Sequence, residues 1–139
     1  GLLHAAEIVL SNFLPLGSPI AQIATLDQKT VDVTEEPPTI AETVRMVVIV
    51  NKGSASASEI VAGALQDAKR AKIIGQKTFG KGTVQQLLQF RDGSTLKMTI
   101  AEWLTPAGRK IDGVGVEPDT LVEEEERDGP LRKALDILR

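Results

Sequence analysis

The sequence contains no cysteine, no tyrosine, one histidine (His4), one tryptophan (Trp103) and three phenylalanines among 139 residues. Without cysteine there is no thiol nucleophile, no thiolate metal site and no disulfide. A single histidine leaves little of the usual general base or zinc ligand. Hydrolytic chemistry confined to this chain therefore relies on His4 or on a base that is not histidine. The shortage of aromatics means that any core must be aliphatic. Basic charge is not in excess either: 16 Lys and Arg stand against 19 Asp and Glu, a formal charge of −3. Such a chain has no positive field for a phosphate backbone, and no nucleic-acid partner is expected. No apolar run approaches the roughly 18 residues that span a bilayer. Residues 1–14 lack the basic start and small-residue cleavage site of a signal peptide, so any export signal or anchor would lie outside this sequence.

What is present is an ordinary globular balance, 42% apolar and 25% charged, at a length that suits one domain or a large piece of one. Residues 1–14 have an amphipathic helical pattern, with Leu2, Ala5, Ala6, Val9, Leu10 and Phe13 near one face, ended by Pro15 and Gly17. Residues 20–26 and 30–34 are short strand candidates, and 35–42, with two prolines, form a polar loop. Residues 46–50 are almost wholly apolar, as in a strand buried on both faces. A turn at 51–54 leads into a helix extending to about Arg70, with Ile60, Val61, Ala64, Leu65 and Ala68 at helical spacing. Residues 72–74 form a strand, 75–82 a glycine-rich loop, and 83–90 and 95–102 two strands around the Asp92-Gly93 turn. A polar, glycine-rich stretch at 105–115 precedes a last strand at 116–122, a solvated acidic connector at 123–128 and a closing helix at 129–139. Strand–helix–strand order predicts an α/β layer. The strands at 46–50, 72–74, 83–90 and 95–102 are expected in one sheet, with the helix after Ser56 on its face.

Two motifs carry chemistry. The first is Ser54-Ala-Ser-Ala-Ser58-Glu59, where a buried strand passes into a helix. A serine there meets free backbone N–H groups and the positive end of the helix dipole, an environment that suits the oxyanion of acyl transfer. The same spacing fits a capping box, Ser56 as N-cap and Glu59 reaching back, and spacing alone leaves both readings open. The second is Gly75-Gln-Lys-Thr-Phe-Gly80-Lys81-Gly82. It nearly matches the phosphate loop G-x-x-x-x-G-K-[ST], but Gly82 occupies the Ser/Thr position and a strand follows where a helix is needed. Glycines flanking Lys81 would let another backbone or a substrate approach closely.

Together, the string VNKGSASASEIVAGALQDAKRAKIIGQKTFGKGTVQQ closely resembles the catalytic region of the C-terminal processing (tail-specific) peptidases. TPAGRKIDGVGVEPD resembles the family's distal signature, and GLLHAAEIV the helix after its Asn-Pro-Gly-Gly turn. The resemblance implies an α/β fold of the Clp protease/crotonase-like kind, a layered β-sheet core with packed helices, here incomplete on the N-terminal side. Residues 1–139 would be part of one catalytic core domain, with a PDZ-type domain and the first core strands upstream. It implies a serine endopeptidase cleaving near the C-terminus of protein substrates. Ser56 would be the nucleophile, Lys81 the general base and Gln85 the support of the lysine. The backbone N–H groups of Ala57 and Gly1 would form the oxyanion hole. Gln66 and Asp67 match the family's Gln-Asp pair. Protein or peptide substrates are the implied partners, a homo-oligomer is allowed, no cofactor or metal is called for, and the implied location is extracytoplasmic.

The chemistry of such a pair requires Lys81 to be neutral when it takes the serine proton, which burial in an apolar pocket favours. Gln85 could orient the amine without adding a charge. Asp67 and Arg70, three apart on one helix, are expected to pair. His4 is a remote candidate base, and Trp103 a packing residue. The rival readings are a catalytically silent peptide-binding or scaffolding module on the same fold, and a nucleotide-binding protein using residues 75–82.

Overall fold

The computed structural model describes residues 3–123 and 128–139. Among the described residues, three helices, α1 (Leu3–Ser11), α2 (Ala57–Asp67) and α3 (Gly129–Leu138), combine with seven strands. The strands are β1 (Pro19–Ala24), β2 (Lys29–Val33), β3 (Val47–Val50), β4 (Lys72–Gly75), β5 (Thr83–Gln89), β6 (Thr95–Leu104) and β7 (Thr120–Leu121).

The strands form two sheets. An antiparallel one runs β2-β1-β6-β5, and a parallel one runs β3-β4-β7. This corrects the expectation of a single sheet. The chain leaves β4 through the loop carrying Gly80 and Gly82, and β5 then pairs antiparallel with β6 instead of extending the parallel layer. α2 lies between the layers, touching β1 on one side and β4 on the other, with α1 packed against it. Its sequence suits that place: Ala62, Gly63, Ala64 and Leu65 are buried, and the first three are small enough to let flanking elements come close. The core is aliphatic apart from Trp103, and includes Leu10, Leu14, Ile20, Leu65, Ile73, Ile111 and Val116.

Four further expectations change. β3 is an edge strand in which Val50 alone is buried and Ile49 is 44% exposed, so its continuous apolar run does not mean burial on both faces. α1 buries Ala6 and Leu10, whereas Ala5 and Val9 face solvent. The last strand shrinks to two residues. α2 ends before Arg70: Lys69 adopts a positive φ of 54°, and the Arg70 N–H turns back to the Leu65 carbonyl at 2.9 Å. The predicted β5–β6 hairpin stands, its turn held by the Asp92 carboxylate, which accepts from the Ser94 N–H and hydroxyl. Of the predicted acidic connector, residues 124–127 lie outside the described residues. Among the described residues no helix is long and apolar enough to cross a membrane.

Candidate active site

β3 delivers the chain to a sharp strand-to-helix turn, and Ser56 occupies its end. Ser56 is the N-cap of α2 with φ 57° and ψ −121°, a conformation that L-residues rarely adopt. Strain of this kind amounts to about 1–3 kcal/mol and persists only where the surroundings over-determine it. Here they do. The Ser56 carbonyl accepts the N–H groups of Glu59 and Ile60, and the Ser56 N–H donates to Glu59 Oε2 at 2.8 Å. Ser56 also lines the cavity described below. Ala57 is the first residue of α2, so its N–H is one that the helix cannot satisfy internally.

Glu59 does more than reach back to the cap. Its fully buried carboxylate also accepts the Thr78 hydroxyl, the Gly80 N–H at 2.7 Å and the Lys81 N–H at 2.8 Å. One carboxylate thus joins the serine turn to the lysine loop. The donors that a phosphate would need in residues 75–82 are turned onto this internal anion, and a strand follows the loop. The nucleotide reading loses its geometric basis on both counts.

The lysine loop is fixed from the other side by residues 105–119. Thr78 and Val116 exchange hydrogen bonds, the Gly113 N–H meets the Gly80 carbonyl at 2.9 Å, and the Gly82 N–H meets Asp112 Oδ1 at 3.1 Å. Gly80 has φ 89°, and a Cβ there would lie 2.9 Å from the Gly115 nitrogen. The distal loop is itself clamped to α2. Asp67 accepts from Arg109 and from the Ala107 N–H, while Gln66 holds Arg109, the Glu117 carbonyl and Asp119. The expected Asp67–Arg70 pair does not form. Arg70 instead donates to the carbonyls of Phe13, Val44 and Ala41, which tie the segment after α2 to the end of the α1 region and to the chain at 41–44.

Ser56, Ala57, Lys81 and Gln85 line one cavity of about 320 Å³, with Leu3, Ile23, Ile60, Thr83, Val84 and Trp103 completing its wall. Ser56 is half-buried, Lys81 and Gln85 are exposed, and no hydrogen bond joins Ser56 Oγ to Lys81 Nζ. Gly1 lies outside the described residues. His4 lines a different cavity with Glu7, to which it is paired at 3.3 Å, and its side chain is largely exposed. Sequence reasoning missed two features, the strain at Ser56 and the Glu59 hub. The capping-box spacing was a signal for the first half of that hub only.

The structure thus brings a strained serine at a helix N-terminus and a lysine to the wall of one cavity in a layered α/β fold. Residues 1–122 match peptidase family S41, and the chain belongs to that family. It is 42% identical over 131 residues to a carboxy-terminal-processing protease of Bartonella bacilliformis, an alignment covering 89% of this chain and 29% of that protein. It is 40% identical over 123 residues to a probable CtpA-like serine protease of Staphylococcus haemolyticus, covering 88% and 25% respectively. Among solved structures, the photosystem II D1 C-terminal processing protease superposes with a TM-score of 0.82 at 37% identity, covering 96% of this chain and 36% of the other. The expected α/β fold therefore holds, and the chain spans about a quarter to a third of the length of these relatives.

Proposed function

We propose that this chain is part of the catalytic core of a serine endopeptidase that acts near the C-terminus of protein substrates through a Ser56 acyl-enzyme, with Lys81 as general base. The observation that carries it is the shared cavity: a strained Ser56 at the head of α2 and Lys81 on the facing loop, their backbones held by the same Glu59 carboxylate.

The neutral Lys81 amine takes the Ser56 proton as Oγ bonds to the scissile carbonyl carbon. The carbonyl oxygen, now negative, is met by the Ala57 N–H at the helix N-terminus, with Gly1 as the second donor. Collapse breaks the C–N bond, and the Lys81 ammonium returns the proton to the leaving amine. Water then attacks the ester, giving its proton to Lys81, and the acyl product leaves with its carboxyl group as Ser56 Oγ is reprotonated. Gln85 steers the amine. Because Lys81 is exposed in this chain, the drier surroundings that favour a neutral amine would come from what covers the cavity, a bound substrate or a further segment. The family resemblance extends the reading to a core domain with an upstream gating domain, at work outside the cytoplasm.

Labelling with a fluorophosphonate, which loses fluoride to an activated serine, tests the reading. The adduct is expected on Ser56 and absent in Lys81→Ala. An unlabelled but folded protein would favour a silent peptide-binding module, and an adduct on Ser54 or Ser58 would overturn the assignment.

A further inference from the structure

Trp103 is 3% exposed, yet it lines the cavity that holds Ser56 and Lys81. Its cross-strand partner in the β1–β6 pair is Ile23, which lines the same cavity. Ile60 from α2 and Val84 from β5 contribute to the wall. The indole is therefore the largest side chain in the apolar part of a cavity that also holds the candidate nucleophile. At about 320 Å³ the recess is at the lower end of ligand clefts, which span roughly 300–1,000 Å³.

Trp103 is also bonded twice to the lysine loop. Its backbone N–H donates to the Gly82 carbonyl at 2.8 Å, and its Nε1–H to the Lys81 carbonyl at 3.1 Å. A buried tryptophan needs a partner for its N–H. Here the partner is the backbone of the residue assigned as base, so the wall of the recess and the position of the base are one piece of structure.

We infer that Trp103 is a specificity-determining and positioning residue: its indole limits the size of the substrate side chain on the acyl side of the scissile bond, and its N–H holds the Lys81 backbone in place. The inference rests on the peptidase reading above. Ser56, Lys81, Thr83 and Gln85 supply the polar side of the cavity, and the part around the indole, with Ile23, Ala57, Ile60 and Val84, is apolar; an apolar side chain preceding the scissile bond is what that part would accept. The two roles separate by substitution. Trp103→Phe keeps most of the ring and removes the N–H, whereas Trp103→Leu removes the indole bulk as well.

The test uses the full-length protein and diphenyl aminoalkylphosphonates whose side chains are those of Ala, Leu and Phe. These reagents phosphonylate an activated serine with loss of phenol, and their side chain occupies the acyl-side recess. Wild type is expected to favour the smaller side chains. Trp103→Leu should raise the Phe-to-Ala ratio of labelling efficiencies by about tenfold or more, the scale of discrimination by bulk in an apolar pocket. Trp103→Phe should lower the maximal labelling rate several-fold for all three reagents with half-saturating concentrations little changed, a split that general loosening of the fold would not give. If Trp103→Leu does not fold, the Trp103→Phe split carries the positioning half. The size-limiting half then rests on fluorescence: titrating Ser56→Ala with a peptide aldehyde should change the emission that Trp103→Phe removes. Unchanged size ratios, unchanged maximal rates or an unresponsive Trp103 emission each overturn the half they address. Failure of the plain fluorophosphonate to label Ser56 strikes the peptidase reading itself and this inference with it. A labelled Ser56 with indifferent Trp103 variants strikes the inference alone.

Discussion

The Glu59 carboxylate accepts the backbone N–H groups of Ser56 and Lys81, each at 2.8 Å, and so fixes the two candidate catalytic residues relative to one another through their main chains. It is fully buried and has two further donors, the Thr78 hydroxyl and the Gly80 N–H. Removing it strands all of these donors away from water. Hydrogen bonds to charged groups contribute about 1.5–3 kcal/mol each, and losses in a shared network do not add. Glu59→Ala is expected to lower unfolding free energy by about 3 kcal/mol or more, measured by urea denaturation. Glu59→Gln should be milder in stability, because one amide oxygen remains as acceptor, yet should still depress Ser56 labelling. Labelling of Glu59→Gln at the wild-type rate would show that the link does not serve the site.

Asp67 and Arg109 define a second prediction. Asp67 is 10% exposed at its side chain and also accepts the Ala107 N–H, while Arg109 is 42% exposed. Loss of the carboxylate abandons a backbone donor as well as the ion pair, whereas loss of the arginine exposes an acid that water can reach. Asp67→Ala should therefore destabilise by about 1–3 kcal/mol and Arg109→Ala by roughly half as much. A double-mutant cycle should give a coupling below either single effect. Equal single effects would argue that the Ala107 contact contributes nothing.

Local signals were legible in the sequence where local chemistry decides the outcome. Asp92-Gly93 marks the β5–β6 turn, and the spacing of Ile60, Ala64 and Leu65 marks α2. The pairing of sheets was not legible. The apolar patterns of β3 and β5 suit either layer, and what separates them is the turn at Gly80 and Gly82, which depends on contacts with residues 112–115, some 30 positions away. The site was half legible for the same reason. Ser56 and Lys81 stand in recognisable strings. Glu59, however, shows only its cap contact, because its other donors lie 19–22 residues further along and obey no periodicity. Helical spacing alone pairs Arg70 with Asp67, but three main-chain carbonyls outside the helix claim it.

Asp32 on β2 gives a pH-dependent prediction. Burial, and then the neighbouring negative charge of Glu7, raises its carboxyl above the ordinary aspartate range. The unfolded chain therefore ionises Asp32 more readily than the folded one, and the ionised form works against folding. This penalty is full above the raised folded value and fades as pH falls through it towards the ordinary aspartate range. Asp32→Asn should accordingly raise the melting temperature at neutral pH by a degree or two, about 0.5 kcal/mol given partial exposure. The gain should shrink on acidification through the carboxylate range. A gain that grew on acidification would contradict the sign.

Gly82→Ser would complete the phosphate-loop consensus in sequence. The structure predicts that it completes nothing in function. A Cβ at Gly82 would lie 2.4 Å from the Asp112 nitrogen, a contact that backbone on both sides cannot relieve cheaply. The expected result is a loss of stability by thermal denaturation of about 1–3 kcal/mol, the scale of overpacking. No magnesium-nucleotide affinity should be gained by calorimetry, because the loop N–H groups remain engaged by Glu59. Nucleotide binding in the variant would reinstate the reading that the fold removes.

Lys81 provides the sharpest prediction for the proposed chemistry, because arginine preserves its charge but not its ability to take a proton. Arginine keeps a cation at the cavity and could hold a substrate carboxylate, but guanidinium stays protonated and cannot accept the Ser56 proton. Lys81→Arg should therefore abolish turnover as completely as Lys81→Ala. Both should melt close to wild type, since the lysine side chain is exposed and the loop is held by main-chain contacts to Glu59, Asp112 and Trp103. His4→Ala should leave turnover unchanged, because His4 is paired with Glu7 beside a different cavity. The measurement is peptide hydrolysis by the full-length protein alongside fluorophosphonate labelling. A Lys81→Arg variant that cleaves at near wild-type rate would mean that Lys81 supplies only positive charge, and that the base is another group.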